Sequence, residues 1–139
     1  VDWGERRIGL AVSDPEGIIA TGLETLMVRG AEHAVGSVAE VAREQQADSI
    51  VVGLPLLMSG ERGEAAEAAQ KFADALGGRT GLPVDTYDER LTSALSERRL
   101  REVGVRVGHA KARVDQGAAV ALLESYLQRL RARLGAHET

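Results

Sequence analysis

The chain contains no cysteine. That excludes a disulfide scaffold, a cysteine-based zinc or iron–sulfur site, and a thiol nucleophile. Aromatic residues are scarce, with one tryptophan, one phenylalanine and two tyrosines, which argues against a base-stacking platform for single strands. No apolar run approaches the ~20 residues of a spanning helix, so no membrane partner is expected. The opening Val1-Asp2-Trp3-Gly4 has neither a basic start nor an apolar h-region, and no signal peptide is expected. It also lacks an initiator methionine, and a few residues are expected before it. Internal repeats and low-complexity linkers are missing too. His33, His109 and His137 are scattered without ligand spacing and read as surface residues. What remains is ordinary globular composition, 44% hydrophobic and 27% charged over 139 residues. That suits one domain, 1–139.

The net charge of −4 conceals an uneven distribution. Residues 1–89 carry 7 basic and 16 acidic residues, a balance of −9. Residues 90–113 carry seven basic residues against Glu97 and Glu102, a balance of +5. One basic segment can attract phosphate even on an acidic protein. It can equally be a solvated helix face.

Hydrophobic periodicity gives the order βββαβαβα. Val1-Asp2 reads as the tail of a first strand. A tight Gly4-Glu5 leads to the strand around Ile8–Val12, and Ser13-Asp14-Pro15-Glu16-Gly17 turns into a third strand over Ile18–Leu26. Together these form an antiparallel meander. Val35, Val38, Ala39 and Ala42 mark one face of a helix over Ala31–Gln46. A buried-type strand spans Ser49–Pro55. An alanine-rich helix spans Glu61–Leu76, closed by Gly77-Gly78. A strand follows over Val84–Asp88, then a helix over Leu91–Val103, a basic loop over Val105–Arg113, and a last helix over Asp115–Leu134. Strands joined by helices become parallel neighbours through right-handed crossovers. The expectation is a mixed five-stranded α/β sheet, three strands of meander and two parallel, flanked by helices. This is the ribonuclease H-like layout, shared with the actin-like ATPases, so the layout alone assigns no chemistry.

The topology gathers acids at one sheet edge. Asp2 belongs to the first strand, Asp88 and Glu89 end the last, and Asp115 opens the last helix. Mg²⁺ or Mn²⁺ takes hard oxygen ligands. Three or four converging carboxylates can hold two ions ~3.5–4 Å apart, one for the attacking water and one for the leaving oxygen. Each acid also has a structural reading. Asp115 can cap a helix, and Glu89 can pair with Arg90 or Arg6. An acid inside an apolar strand, such as Asp2, is costly unless compensated. Asp14 reads as a turn former, and Asp48 and Asp85 as solvent groups. The loop Gly53–Gly60 follows a strand and precedes a helix. It can line a cleft, but it lacks the Gly-Lys-Ser/Thr ending of a Walker loop.

Four ordered blocks carry a resemblance. They are Asp2-Trp3-Gly4 with Arg7–Pro15, Gly53-Leu54-Pro55-Leu56, Asp88-Glu89-Arg90-Leu91-Thr92, and Val114-Asp115-Gln116-Gly117-Ala118-Ala119. Over nearly the whole chain the sequence resembles the YqgF (RuvX) family. The resemblance implies a ribonuclease H-like fold and a bacterial cytoplasmic nuclease. That family is described both as a Holliday-junction resolvase and as a nuclease maturing the 5′ end of the small-subunit ribosomal RNA precursor. Its acidic positions fall on Asp2, Glu89 and Asp115. Leu57 and Ser59 stand where the family often has Asn and Asp.

The reading that follows is a metal-dependent endonuclease of branched DNA or precursor rRNA. Asp2, Glu89 and Asp115, with Asp88 as a fourth acid, would ligate Mg²⁺ or Mn²⁺. Cleavage would leave a 5′-phosphate. Arg6, Arg7, Arg90, Arg98, Arg99, Arg101, Arg106, Lys111 and Arg113 would hold the backbone. Symmetric cutting of a junction favours a C2 homodimer. The alternatives are a non-catalytic ribosome-assembly factor and an actin-like nucleotide-binding protein. The second needs two lobes, where 139 residues supply one.

Overall fold

A computed structural model describes residues 1–92 and 108–138, with the side chains of the last helix described over 117–135. Five apolar or small residues in a row, all buried, make β3 (Ile50–Leu54) a strand covered on both faces. It pairs in parallel with β4 (Val84–Asp88), Val52 opposite Thr86 and Leu54 opposite Asp88. β1 (Arg7–Ser13) and β2 (Ala20–Met27) form an antiparallel pair with Leu10 opposite Leu23 and an irregularity between Ile8 and Leu10. Asp14 makes the turn between them, as its sequence context suggests. Its Oδ1 accepts the N–H groups of Ile18 (2.7 Å) and Ile19 (3.0 Å).

Residues 1–2 lie between the two pairs. Asp2 and Gly9 exchange backbone hydrogen bonds of 2.8 and 3.0 Å. The Val1 amino group donates to the Val51 carbonyl (2.7 Å), and Gly53 N–H donates to the Val1 carbonyl (2.9 Å). The described residues thus form two two-stranded sheets hydrogen-bonded to a single Asp2–Gly9 bridge.

Helices cover both sides. On one side α1 (Ala31–Glu44) and α2 (Glu64–Thr80) bring Val35, Val38, Phe72 and Leu76 against Ile8, Leu10 and Val52. On the other, α3 (Gly108–Glu138) sets Ala118 and Leu122 on Val51 and Tyr87. Neighbouring residues of β3 therefore face opposite layers. α3 runs on to the β1–β2 turn, where the Arg131 guanidinium donates to the Gly17 carbonyl (2.7 Å). No helix among the described residues is long and apolar enough to cross a membrane. Leu76 is wholly buried in the first layer. Leu76→Ala is expected to cost about 3 kcal/mol and to lower the thermal midpoint by roughly 10 °C, as read by calorimetry.

Four boundaries differ from the sequence expectation. Gly77-Gly78 does not end α2, because the left-handed cap comes at Gly81 (φ 72°), whose N–H donates to the Gly77 carbonyl. Gly77 instead lies inside the helix against Val84 of β4, where a Cβ would stand at an ordinary 3.5 Å. α2 also starts at Glu64 rather than Glu61, after a turn closed by a Gly60 N–H to Leu57 carbonyl bond. No helix starts at Leu91. Glu89–Leu91 is a 3₁₀ turn that Thr92 ends in extended backbone. The expected helix from there to Val103 lies otherwise outside the described residues. Finally, the backbone is already helical from Gly108, so residues 108–113 are not loop and Asp115 does not open the last helix. Alanine, lysine and arginine between Gly108 and Val114 offer no break.

Candidate active site

Parallel strands place their ends together. Val1-Asp2 runs alongside β3, so Asp2, Leu54 and Asp88 share one edge of the strands. Open α/β sheets present their sites at such carboxyl ends. Asp2 and Glu89 are each 1% exposed, and they are the only buried charged residues among the described ones. Asp2 is held by its backbone bonds to Gly9. Glu89 is held by the 3₁₀ turn, in which its carbonyl accepts the Thr92 N–H (3.1 Å) and Thr92 Oγ1 (2.9 Å).

Gly53 admits Glu89. A Cβ at Gly53 would stand 2.6 Å from Glu89 Oε1 and 3.1 Å from its Cγ, and would collide with Leu122 Cδ1. The Glu89 carboxylate therefore lies against the β3 backbone, beside the strand that carries Asp2. Glycine inside a strand marks such close approach. That signal lies in Ile50–Leu54, where sequence reasoning placed Gly53 at the end of the strand and the start of the loop and drew no close approach from it.

Asp88 and Arg90 find each other. Asp88 caps the 3₁₀ turn by accepting Arg90 N–H (2.9 Å). It also takes Arg90 Nη2 (2.7 Å) and Nε (3.1 Å) in a bidentate pair. This pairing holds the Asp88 carboxyl below its ordinary range, through the Arg90 side chain first. Arg90 thus bonds Asp88, not Glu89, and Asp88's oxygens face a guanidinium. The same guanidinium lies over Gly60 (φ 89°), with Nη1 3.4 Å from where a Cβ would stand.

Among the described residues no group of three His, Cys, Asp or Glu gathers as a metal site. Two of the three expected acids, Asp2 and Glu89, come together. Asp115 lies in the α3 backbone with its side chain outside the described residues, as do those of Lys111 and Arg113. Arg98, Arg99, Arg101 and Arg106 lie wholly outside them. Arg6 is exposed and Arg7 half-buried where β1 begins. His33 Nδ1 accepts the Arg29 N–H (2.9 Å) at the start of α1, an ordinary structural role.

A family model described as "RuvX: Holliday junction resolvase" matches residues 1–129. The chain belongs to the RuvX family. Members of the RuvX family are nucleases, and this chain is an enzyme of that class. A Chloroflexus aurantiacus protein named "Putative pre-16S rRNA nuclease" is 44% identical over 127 residues, covering 91% of this chain and 83% of its own. A Mycobacterium sp. (strain KMS) protein of the same name is 41% identical over 138 residues, 98% and 82% of the two chains. The fold resembles Thermus thermophilus RuvC, solved with a Holliday junction substrate, at a TM-score of 0.50 and 21% identity. That match covers 93% of this chain and 92% of RuvC.

Proposed function

We propose that this RuvX-family chain is a metal-dependent endonuclease that hydrolyses phosphodiester bonds of structured nucleic acid. Its task is maturation of the small-subunit ribosomal RNA precursor at its 5′ end, or resolution of four-way DNA junctions. The carrying observation is the pair of fully buried carboxylates, Asp2 and Glu89, brought from two elements to one edge. Carboxylate oxygens are the donors that Mg²⁺ and Mn²⁺ prefer, so the donor set fits. Asp2, Glu89 and Asp115 would hold the metal, one ion or two. When bound, it supplies Lewis acidity for the phosphoryl oxygens and the attacking water.

The chain's own groups do the rest. Burial of Asp2 and Glu89 keeps bulk water from the carboxylates. Asp88 orients Arg90, leaving part of a rigid guanidinium for a phosphate. Asp88 serves as Arg90's partner more readily than as a fourth ligand. The products are a 5′-phosphate and a 3′-hydroxyl. The same reading takes residues 1–2 as the middle strand of one five-stranded ribonuclease H-like sheet, in the order β2, β1, 1–2, β3, β4. The bonds from Val1 and Asp2 to both neighbours support it. A single domain working in the cytoplasm belongs to this reading, and the junction version carries with it a C2 homodimer.

Relatives named for pre-16S rRNA favour the RNA version. The family description favours the DNA version. Labelled four-way DNA and precursor RNA, incubated side by side with full chain and Mg²⁺ or Mn²⁺, decide between them. Binding without cleavage of either would support an assembly factor instead. The seven cations of residues 90–113, if they hold the backbone, give a log–log salt slope of about −5. Affinity then falls by roughly a thousandfold from 50 to 200 mM salt, measured by anisotropy. A slope near zero removes that segment from the interface.

A further inference from the structure

The loop between β3 and α2 is a built structure with an apolar tip. Leu57 N–H donates to the Glu61 carbonyl (3.0 Å), and Gly60 N–H donates to the Leu57 carbonyl (2.8 Å). Ser59 Oγ accepts the Glu61 N–H (3.3 Å). These bonds close residues 57–61 into a compact turn with Met58 and Ser59 at its apex. Leu56, at the base, packs with Trp3 on Leu54, Ala66 and Ala69, next to Asp2 in sequence. Arg90, clamped by Asp88 and next to Glu89 in sequence, lies over Gly60. The loop therefore packs against the chain neighbours of both buried acids, Trp3 after Asp2 and Arg90 after Glu89.

Its apex points its largest apolar groups at solvent. Met58 is 76% exposed and Leu57 50% exposed. Leu57 lies over Gly63, 3.5 Å from where a Cβ would stand there. Hydrogen bonds order this turn, so the exposure is held in place. Two apolar side chains on a rigid tip, flanked by a guanidinium and next to a phosphodiesterase site, match one chemistry. Leucine and methionine are wedge residues that enter between base steps, while the neighbouring cation takes the backbone. Neither side chain offers a group that reads base edges by hydrogen bonding.

The geometry points to Leu57 and Met58 as a wedge that unstacks the bases beside the scissile phosphate. This inference rests on the nuclease reading and adds a substrate preference to it. The enzyme selects steps that open easily, such as branch points, mismatches and flexible pyrimidine–purine steps, by deformability rather than by base identity.

The test uses full-length chain on the substrate it cuts, with the cut site mapped first. 2-Aminopurine is placed next to that site, and Ca²⁺ replaces the working metal. Wild type is expected to raise its fluorescence about threefold at saturation, as unstacking does. The Leu57→Ser/Met58→Ser double variant is expected to leave it unchanged. With Mg²⁺ or Mn²⁺, that variant cuts the stacked substrate about tenfold more slowly, and a mismatch beside the site restores its rate, because the unstacking is already done. Met58→Leu keeps both properties. A general loss of structure would not be rescued by a mismatch. Equal fluorescence with the double variant, or a wild type that cuts while 2-aminopurine stays quenched, overturns the wedge and leaves the nuclease standing. A folded wild type that neither binds nor cuts overturns both.

Discussion

Asp2→Asn is expected to reduce cleavage by about three orders of magnitude and to leave the fold in place. Asparagine keeps the size and one acceptor oxygen but removes the charge. The backbone bonds between residues 2 and 9 do not involve the side chain, so the strand that carries it survives. Loss of a carboxylate that holds a divalent ion removes several kcal/mol of transition-state stabilisation, and each ~1.4 kcal/mol is a tenfold change in rate. Added Mn²⁺ or Mg²⁺ raises the wild-type midpoint and leaves the variant's where it was, since only a state that binds is stabilised. Single-turnover cleavage and paired melts measure both. Full activity in Asp2→Asn would turn the conclusion toward an assembly factor.

Gly53→Ala has the second large effect, and it acts on stability and rate together. The new methyl group meets Leu122 on one side and the Glu89 carboxylate on the other, inside a strand buried over its whole length. Overpacking of this kind costs about 1–3 kcal/mol. Displacing Glu89 by even ~1 Å costs roughly a hundredfold in rate. Leu122→Ala separates the two. In the double variant the collision with Leu122 is gone, so the stability losses are less than additive, with a coupling of about 1 kcal/mol. The crowding of Glu89 remains, and activity stays low. Recovery of both quantities together would show that Glu89 is not displaced. Chemical denaturation and cleavage rates on the four proteins give the answer.

Much of the fold was legible wherever one period dominated. The run Ile50-Val51-Val52 announced a strand covered on both faces, and Val35, Val38 and Ala42 announced the buried stripe of α1. Asp2 stood out because a carboxylate between Val1 and Trp3 needs a reason, and the structure buries it. What stayed hidden depended on contacts that periodicity does not encode. Whether Gly78 or Gly81 ends α2 turns on which residue takes the left-handed cap, and both are glycine. The start of α3 went unread because no breaker follows Gly108. The choice of Arg90 by Asp88 rather than Glu89 arises from the 3₁₀ turn, which folds residue 90 back over residue 88 while Glu89 points inward. The closeness of Gly53 to Glu89 spans distant parts of the chain, and only the pairing of β3 with β4 brings it about.

The placement of residues 1–2 also orders the chain in time. Their hydrogen bonds reach Gly9 nearby and Val51 and Gly53 far along the sequence. Glu89 follows only after α2 and β4 have been made. On a chain emerging from the ribosome, Asp2 comes out ahead of both partners. The chain cannot seat that acid until β3 arrives, and cannot pair it with Glu89 until two-thirds of the sequence is out. Contacts of such long range form late. If Asp2 and Glu89 form the cutting site as proposed, the nascent chain is expected to be inert toward the nucleic acid around it, with competence to cut arriving as the domain closes.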